Sequence, residues 1–281
     1  MSQLPKVAVI GGGVAGIVSA YLLQRRYEVE LFEAGPWLGG HTHTVVLNEG
    51  VDAGTAIDTG FIVFNGETYP LFQRFLAELG VARQLSDMSF GYYCEGTGWA
   101  YGGHDLDTFF ARRRHLFHPD FLRFTLDVAR FNLVSTHKLR KGTIQGSLRQ
   151  YLRGYSRVFL KHYIKPLGAA IWSAPLDDIL DFPALTYIRF FANHGLFRVV
   201  QRPDWFTVAG GSFRYVQAFQ RGFEGKVHLA TPVEQVTRPE QGRAVVRVAG
   251  ESREFSAVVL ATHADQALKL LGDATPGEVA A

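Results

Sequence analysis

Four residues near the start of the chain have the types and spacing to hold a dinucleotide. Gly11, Gly13 and Gly16 fit the pattern Gly-x-Gly-x-x-Gly, and Glu33 lies twenty positions beyond Gly13. The first glycine permits a tight turn, the second lets the backbone approach a pyrophosphate, and the third lets a helix pack against a strand. At the start of such a helix the free N–H groups, here those around Val14 and Ala15, and the helix dipole favour a phosphate anion. A carboxylate at Glu33, followed by Ala34, can accept hydrogen bonds from ribose hydroxyls. The same charge would repel a 2′-phosphate.

These residues need particular elements to place them, and the flanking sequence supplies them. Lys6 to Ile10 reads as a short buried strand, Val14 to Gln24 as a helix with small and apolar residues at helical spacing, and Glu28 to Phe32 as a second strand. Strand, glycine turn, helix and strand make a βαβ unit. Further strands are expected at Thr44–Leu47, near Phe61–Phe64, at Val227–Leu229, at Ala244–Val248 and at Ala257–Leu260. Tyr69 to Leu79 reads as a helix, Phe90 to Tyr101 as strand, turn and strand, and Asp105 to about Tyr163 as mainly helical with breaks at Pro119, Gly142 and Gly154. Gly210-Gly211-Ser212 opens a helix over Phe213–Phe219, and another follows from Ala264 to Leu271. The expected fold is α/β: a Rossmann-like nucleotide-binding domain, residues 1–70 and 205–281, interrupted by a mostly helical substrate domain over 71–204.

A second constellation separates one dinucleotide from another. Gly39-Gly40-His41-Thr42-His43-Thr44 follows closely on Glu33. This run resembles the flavin amine-oxidase superfamily, which places a Gly-Gly pair, usually followed by Arg, just after the ribose-binding acid. The resemblance implies FAD as cofactor, with Gly39, Gly40, His41 and Thr44 toward its pyrophosphate and flavin. His41 stands where arginine is usual, so a permanent charge is exchanged for a group that titrates. Three more segments extend the likeness: Asp58-Thr59-Gly60-Phe61 as a stretch approaching the flavin, Pro232-Val233 as the segment whose Val233 backbone meets adenine, and Ala261-Thr262 as the small-residue turn over the nucleotide. The run most resembles a bacterial branch of FAD-dependent oxidoreductases found beside cyclopropane-fatty-acid synthases. That likeness implies a lipid acyl substrate and hydride removal from an amine or an unsaturated, lipid-like molecule. Superfamily members usually run longer and close over the flavin with a Gly-Asp segment and helix. Gly272-Asp273 is not preceded by an expected strand, so a missing C-terminal part is expected.

Composition narrows the remaining classes. The 281 residues are 47% hydrophobic and 20% charged, within the range of an ordinary globular protein. Cys94 is the single cysteine, so no disulfide framework or cysteine zinc site can form. No secretory leader or membrane-length apolar stretch is read, and a cytoplasmic location is expected. Residues 71–204 hold 18 basic against 11 acidic side chains, while the flanking parts are acidic or neutral. With the phenylalanines between Phe109 and Phe131, this basic middle suits an anionic lipid surface, although aromatics at helical spacing more commonly form core.

Other chemistries have weaker marks. His41/His43 and His115/His118 lack acids or cysteines at ligand spacing, so no metal is expected. Arg112-Arg113-Arg114 could touch phosphates, but no nucleic-acid motif accompanies it. Tyr92, Tyr93, Trp99 and Trp172 are candidates for an apolar pocket wall, with core packing as the commoner role. No catalytic side chain is assigned, because the isoalloxazine itself performs redox chemistry in flavoenzymes. A truncated cofactor-binding module without turnover and an NAD-dependent reductase remain as alternatives.

Overall fold

The structure, a computed structural model, describes residues 4–198 and 203–280. It divides into two compact units, one of Met1–Phe64, Tyr69–Leu85 and Phe206–Ala281, the other of Asn65–Thr68 and Ser86–Trp205.

The first unit is built on a parallel sheet. Strand β1 (Lys6–Ile10) runs into helix α1 (Val14–Leu23), which returns to strand β2 (Glu28–Phe32). Strands β3 (Lys226–His228) and β4 (Ala257–Leu260) complete the order β3-β2-β1-β4, with every pairing parallel. The sheet is buried on both faces, which is why β1 reads as an unbroken apolar run. Alternation then assigns the faces. Val9, Val29 and Leu31 pack with Ile17 and Ala20 of α1 and with Tyr215, Val216 and Phe219 of the helix Phe213–Gly222. Ala8, Ile10 and Phe32 point the other way, onto Val236, Val246, Val248 and Phe255 of an antiparallel sheet. Glu30 is buried on that second face. Its Oε2 lies 2.8 Å from His228 Nε2 and 3.5 Å from an Arg253 guanidinium nitrogen, the pairing a buried carboxylate needs.

The second unit is mostly helical. Its longest helix, α2 (Pro119–Arg140), buries Phe121, Phe124, Asp127, Phe131 and Ser135 along one face. Sequence alone reads Pro119 as a break within a helical stretch. The structure has that break: the turn Arg113–Phe117 ends, His118 is extended, and Pro119 stands in the first turn of the new helix, where its missing N–H costs nothing and its fixed φ suits the helix. Asp120 in the first turn and His137, Lys138 and Arg140 in the last complement the helix dipole. Most phenylalanines of the basic stretch are therefore core, with Phe117 the exposed exception.

Other departures from expectation are local. The strand expected near Phe61–Phe64 shrinks to Phe64–Asn65. Strands over Ala56–Asp58, Val233–Glu240 and Glu251–Phe255 are additional. Among the described residues no helix is long and apolar enough to cross a membrane.

Candidate functional site

The C-terminal ends of β1, β2 and β4 open into a cleft of about 870 Å³, lined entirely by the first unit. That is near the upper end of the ~300–1,000 Å³ usual for cofactor sites. The glycine turn between β1 and α1 forms one wall. Gly16 must be glycine, because a Cβ there would lie 1.8 Å from the Gly11 carbonyl oxygen. Gly13 is the N-cap of α1, and no side chain caps that end. The first-turn N–H groups, which an α-helix leaves without intrahelical partners, therefore have no capping side chain.

The Gly39-Gly40 pair packs backbone to backbone on this turn. Gly39 N–H donates to the Gly12 carbonyl at 2.8 Å, and Gly13 bridges Gly39. Gly40 has φ +59, and a Cβ there would come 2.9 Å from the Gly13 Cα. By contrast, a Cβ on Gly13 would meet only the Gly40 Cα, at 3.8 Å. The two glycine segments thus make a slot of bare backbone beside the α1 terminus, as a pyrophosphate requires.

Glu33 stands at the end of β2. Its Oε2 accepts the Gly12 N–H at 2.6 Å and its Oε1 accepts the Gly35 N–H at 2.7 Å. An ionised carboxylate has roughly four acceptor sites, so two remain for ribose hydroxyls.

The cleft also gathers Gly11, Val14, Ala34, His41, Phe61, Val233, Ala261 and Thr262 from the residues singled out in the sequence. Ala15, Gly16, Thr44, Asp58 and Gly60 do not line it. Asp58 instead accepts hydrogen bonds from the Ser212 backbone N–H at 2.8 Å and the Ser212 hydroxyl at 2.9 Å. Thr44 donates to Asp58 and accepts the Phe213 N–H at 3.0 Å. These two residues fasten the hairpin Thr44–Val46/Ala56–Asp58 to the start of the helix Phe213–Gly222. Gly60 packs directly against the His41 carbonyl.

Several lining residues escaped sequence reasoning. Thr42 and Tyr215 share a buried hydroxyl–hydroxyl hydrogen bond of 2.7 Å. Burial raises the Tyr215 pKa, with the Thr42 bond opposing that shift. Phe72 meets Tyr215 edge-on at 5.5 Å, and Phe61 stands against both Phe72 and Tyr69, giving an aromatic wall. His263 lies parallel to His41, with ring centroids 5.6 Å apart. Thr42 and His263 had usable signals, since Thr42 lies within the run Gly39–Thr44 and His263 directly follows Ala261-Thr262.

Comparison with known proteins fits this geometry. The family described as flavin containing amine oxidoreductase matches residues 14–278. A carotenoid phi-ring synthase of Chlorobaculum tepidum is 41% identical over 88 residues, which cover 31% of this chain and 13% of that protein. Among solved structures, a putrescine oxidase double mutant superposes with a TM-score of 0.70 at 19% identity, covering 98% of this chain and 62% of that one. A CLA-producing fatty acid isomerase from P. acnes gives 0.64 at 16% identity, covering 99% and 63%. An oxidoreductase from Methanosarcina mazei gives 0.67 at 18% identity, covering 98% and 63%. The structural likenesses establish a shared fold, and this chain spans less than two thirds of each of those proteins.

Proposed function

This chain belongs to the flavin containing amine oxidoreductases, and we propose that it forms the FAD-holding part of an oxidoreductase that removes hydride from a C–H bond of an unsaturated, lipid-like substrate. FAD is the cofactor of this family; when bound it supplies a two-electron acceptor. The observation that carries the cofactor assignment is the pairing of a bare-backbone slot at Gly13 and Gly40 with the Glu33 carboxylate at the end of the neighbouring strand.

The proposed roles follow from position. Gly11, Gly13, Val14, Ala15 and Gly16 present the α1 terminus to the pyrophosphate. Glu33 and Ala34 take the ribose, and Val233 takes adenine. Gly39, Gly40 and His41 continue along the pyrophosphate toward the flavin, while Phe61, Ala261 and Thr262 complete the walls. Thr44, Asp58 and Gly60 hold the His41 segment in place. Residues 71–204 are assigned to substrate recognition.

The aromatic wall of Phe61, Tyr69, Phe72 and Tyr215 favours an apolar substrate. Among the described lining residues Glu33 is the sole carboxylate, and the two acceptor sites that its backbone N–H partners leave are assigned to the ribose. A cationic amine would find little to pair with there. The names of two relatives, a fatty acid isomerase and a carotenoid phi-ring synthase, support the same choice. The amine reading rests on the family description and on the fold shared with putrescine oxidase. Anaerobic mixing of the flavin-loaded protein with an unsaturated fatty acid, a carotenoid or putrescine separates the two. Bleaching of the flavin band by a lipid and not by putrescine is expected, and the reverse pattern would exchange the readings.

A further inference from the structure

A second cavity, of about 510 Å³, lies within the unit that contains residues 86–205. Its wall brings together Arg123, Arg157, Lys161, His118, His162 and Trp99. Among the described residues Asp120 is the one carboxylate on that wall, so the permanent cations outnumber it. Arg157 and Lys161 are exposed and stand four residues apart on one continuous helical run. Among the described residues neither makes an ion pair. Arg123 is shared, since its Nε lies 3.5 Å from Asp127, whose carboxylate also accepts the Ser156 N–H at 2.9 Å.

Two buried rings set this cavity apart from a solvated basic patch. His162 is 5% exposed and lies flat on Trp99, with centroids 4.7 Å apart. Its Nδ1 meets the Tyr92 hydroxyl at 2.9 Å, and its Nε2 has no partner among the described residues. With the Tyr92 hydroxyl donating, the neutral ring carries its proton on Nε2. The Trp99 Nε1–H is buried and has no acceptor among the described residues. A buried donor without an acceptor is destabilising, and native proteins keep few of them.

We propose that this cavity binds a phosphate-bearing anion. Arg157 and Lys161 neutralise its charge, Arg123 adds a third cation, and the Nε2–H of His162, on the ring that lies flat on Trp99, serves as a donor on the buried side. An anion with several acceptor oxygens and up to two charges suits that set better than a single carboxylate. Its source is either a phosphate ester in solution or a phospholipid headgroup.

The flavin-loaded protein would be titrated calorimetrically with inorganic phosphate at constant ionic strength. In parallel it would be co-sedimented with phosphatidic acid vesicles and with phosphatidylcholine vesicles. R157A/K161A removes two cations from the cavity, and R140A/K141A removes the same charge elsewhere on the unit. None of the four residues lines the flavin cleft, and the far-ultraviolet circular dichroism of each variant, followed through a thermal melt, reports folding of the unit that carries them. Binding of at least one probe by the wild type, weakened tenfold or more in R157A/K161A and retained in R140A/K141A, is the expected result. Phosphate binding would identify a soluble ester as the source, and selective pelleting with phosphatidic acid alone would identify a headgroup. The proposal is overturned if the wild type binds neither probe, or if both double variants weaken binding equally.

Discussion

The Glu33 carboxylate and the Gly12 backbone N–H are 2.6 Å apart, although 21 residues separate them in the chain. This contact ties the end of β2 to the glycine turn that follows β1. It fixes both the acid and the turn before any cofactor arrives. A carboxylate held in this way has lost its rotamer freedom in advance, so less is lost on binding.

Glu33→Gln tests that double role. The amide can still accept one of the two backbone N–H groups but opposes the other with its own N–H₂. A stability loss of about 1–2 kcal/mol in urea denaturation is expected, because a partly buried N–H loses its acceptor. Flavin affinity should fall by roughly tenfold to a hundredfold, as one or two charge-assisted bonds to ribose are lost.

The Thr42–Tyr215 pair is open to a double-mutant cycle. Tyr215→Phe strands the Thr42 hydroxyl and should cost about 1 kcal/mol or somewhat more. Thr42→Val should cost a similar amount. The double variant should lose less than the sum, because no buried hydroxyl is then left without a partner. Additive losses would show that the 2.7 Å contact carries no coupling.

Asp58 separates a fastening role from a cofactor role. Asp58→Ala removes the acceptor of the Ser212 N–H at the start of the helix Phe213–Gly222. A loss of about 1–2 kcal/mol is expected, as for other helix N-terminal acceptors. Flavin that remains bound in the folded fraction should keep the wild-type spectrum. A spectral shift of that flavin would place Asp58 against the ring.

Acid should weaken the second unit through its histidines. Burial, reinforced by the Lys161 charge, holds His162 below its ordinary value of 6.5. Burial and the Arg114, Arg112 and His118 charges lower His115 likewise. The unfolded chain then binds protons more readily than the folded one. Stability is complete above the ordinary value and declines as pH drops below it. The Tm should fall between about pH 7 and pH 5, and His162→Gln should flatten part of that fall.

What the sequence discloses follows the range of the interactions involved. The elements β1, α1 and β2 are legible because an apolar run, a glycine turn and a helical repeat are local patterns. Strands Val233–Glu240 and Glu251–Phe255 are not, because they are mostly exposed and carry charged residues on their open face. The break at Pro119 is legible because proline cannot continue a helix yet suits the first turn of the next one. The family likeness directs attention to Thr44 and Asp58, yet their fastening to Ser212 and Phe213 spans more than 150 residues. Tyr215 meets Thr42 across 173 residues, so no spacing rule could have paired them.

The central claim is that Gly13, Gly40 and Glu33 together hold FAD. Its most direct test is the visible absorption spectrum of the purified chain, recorded before denaturation and again on the protein-free supernatant afterwards, with Gly40→Val alongside. A flavin spectrum in the wild type that is released on denaturation, identified as FAD and absent from Gly40→Val, is the predicted result. A colourless wild-type protein that takes up NAD but not added FAD would contradict the account.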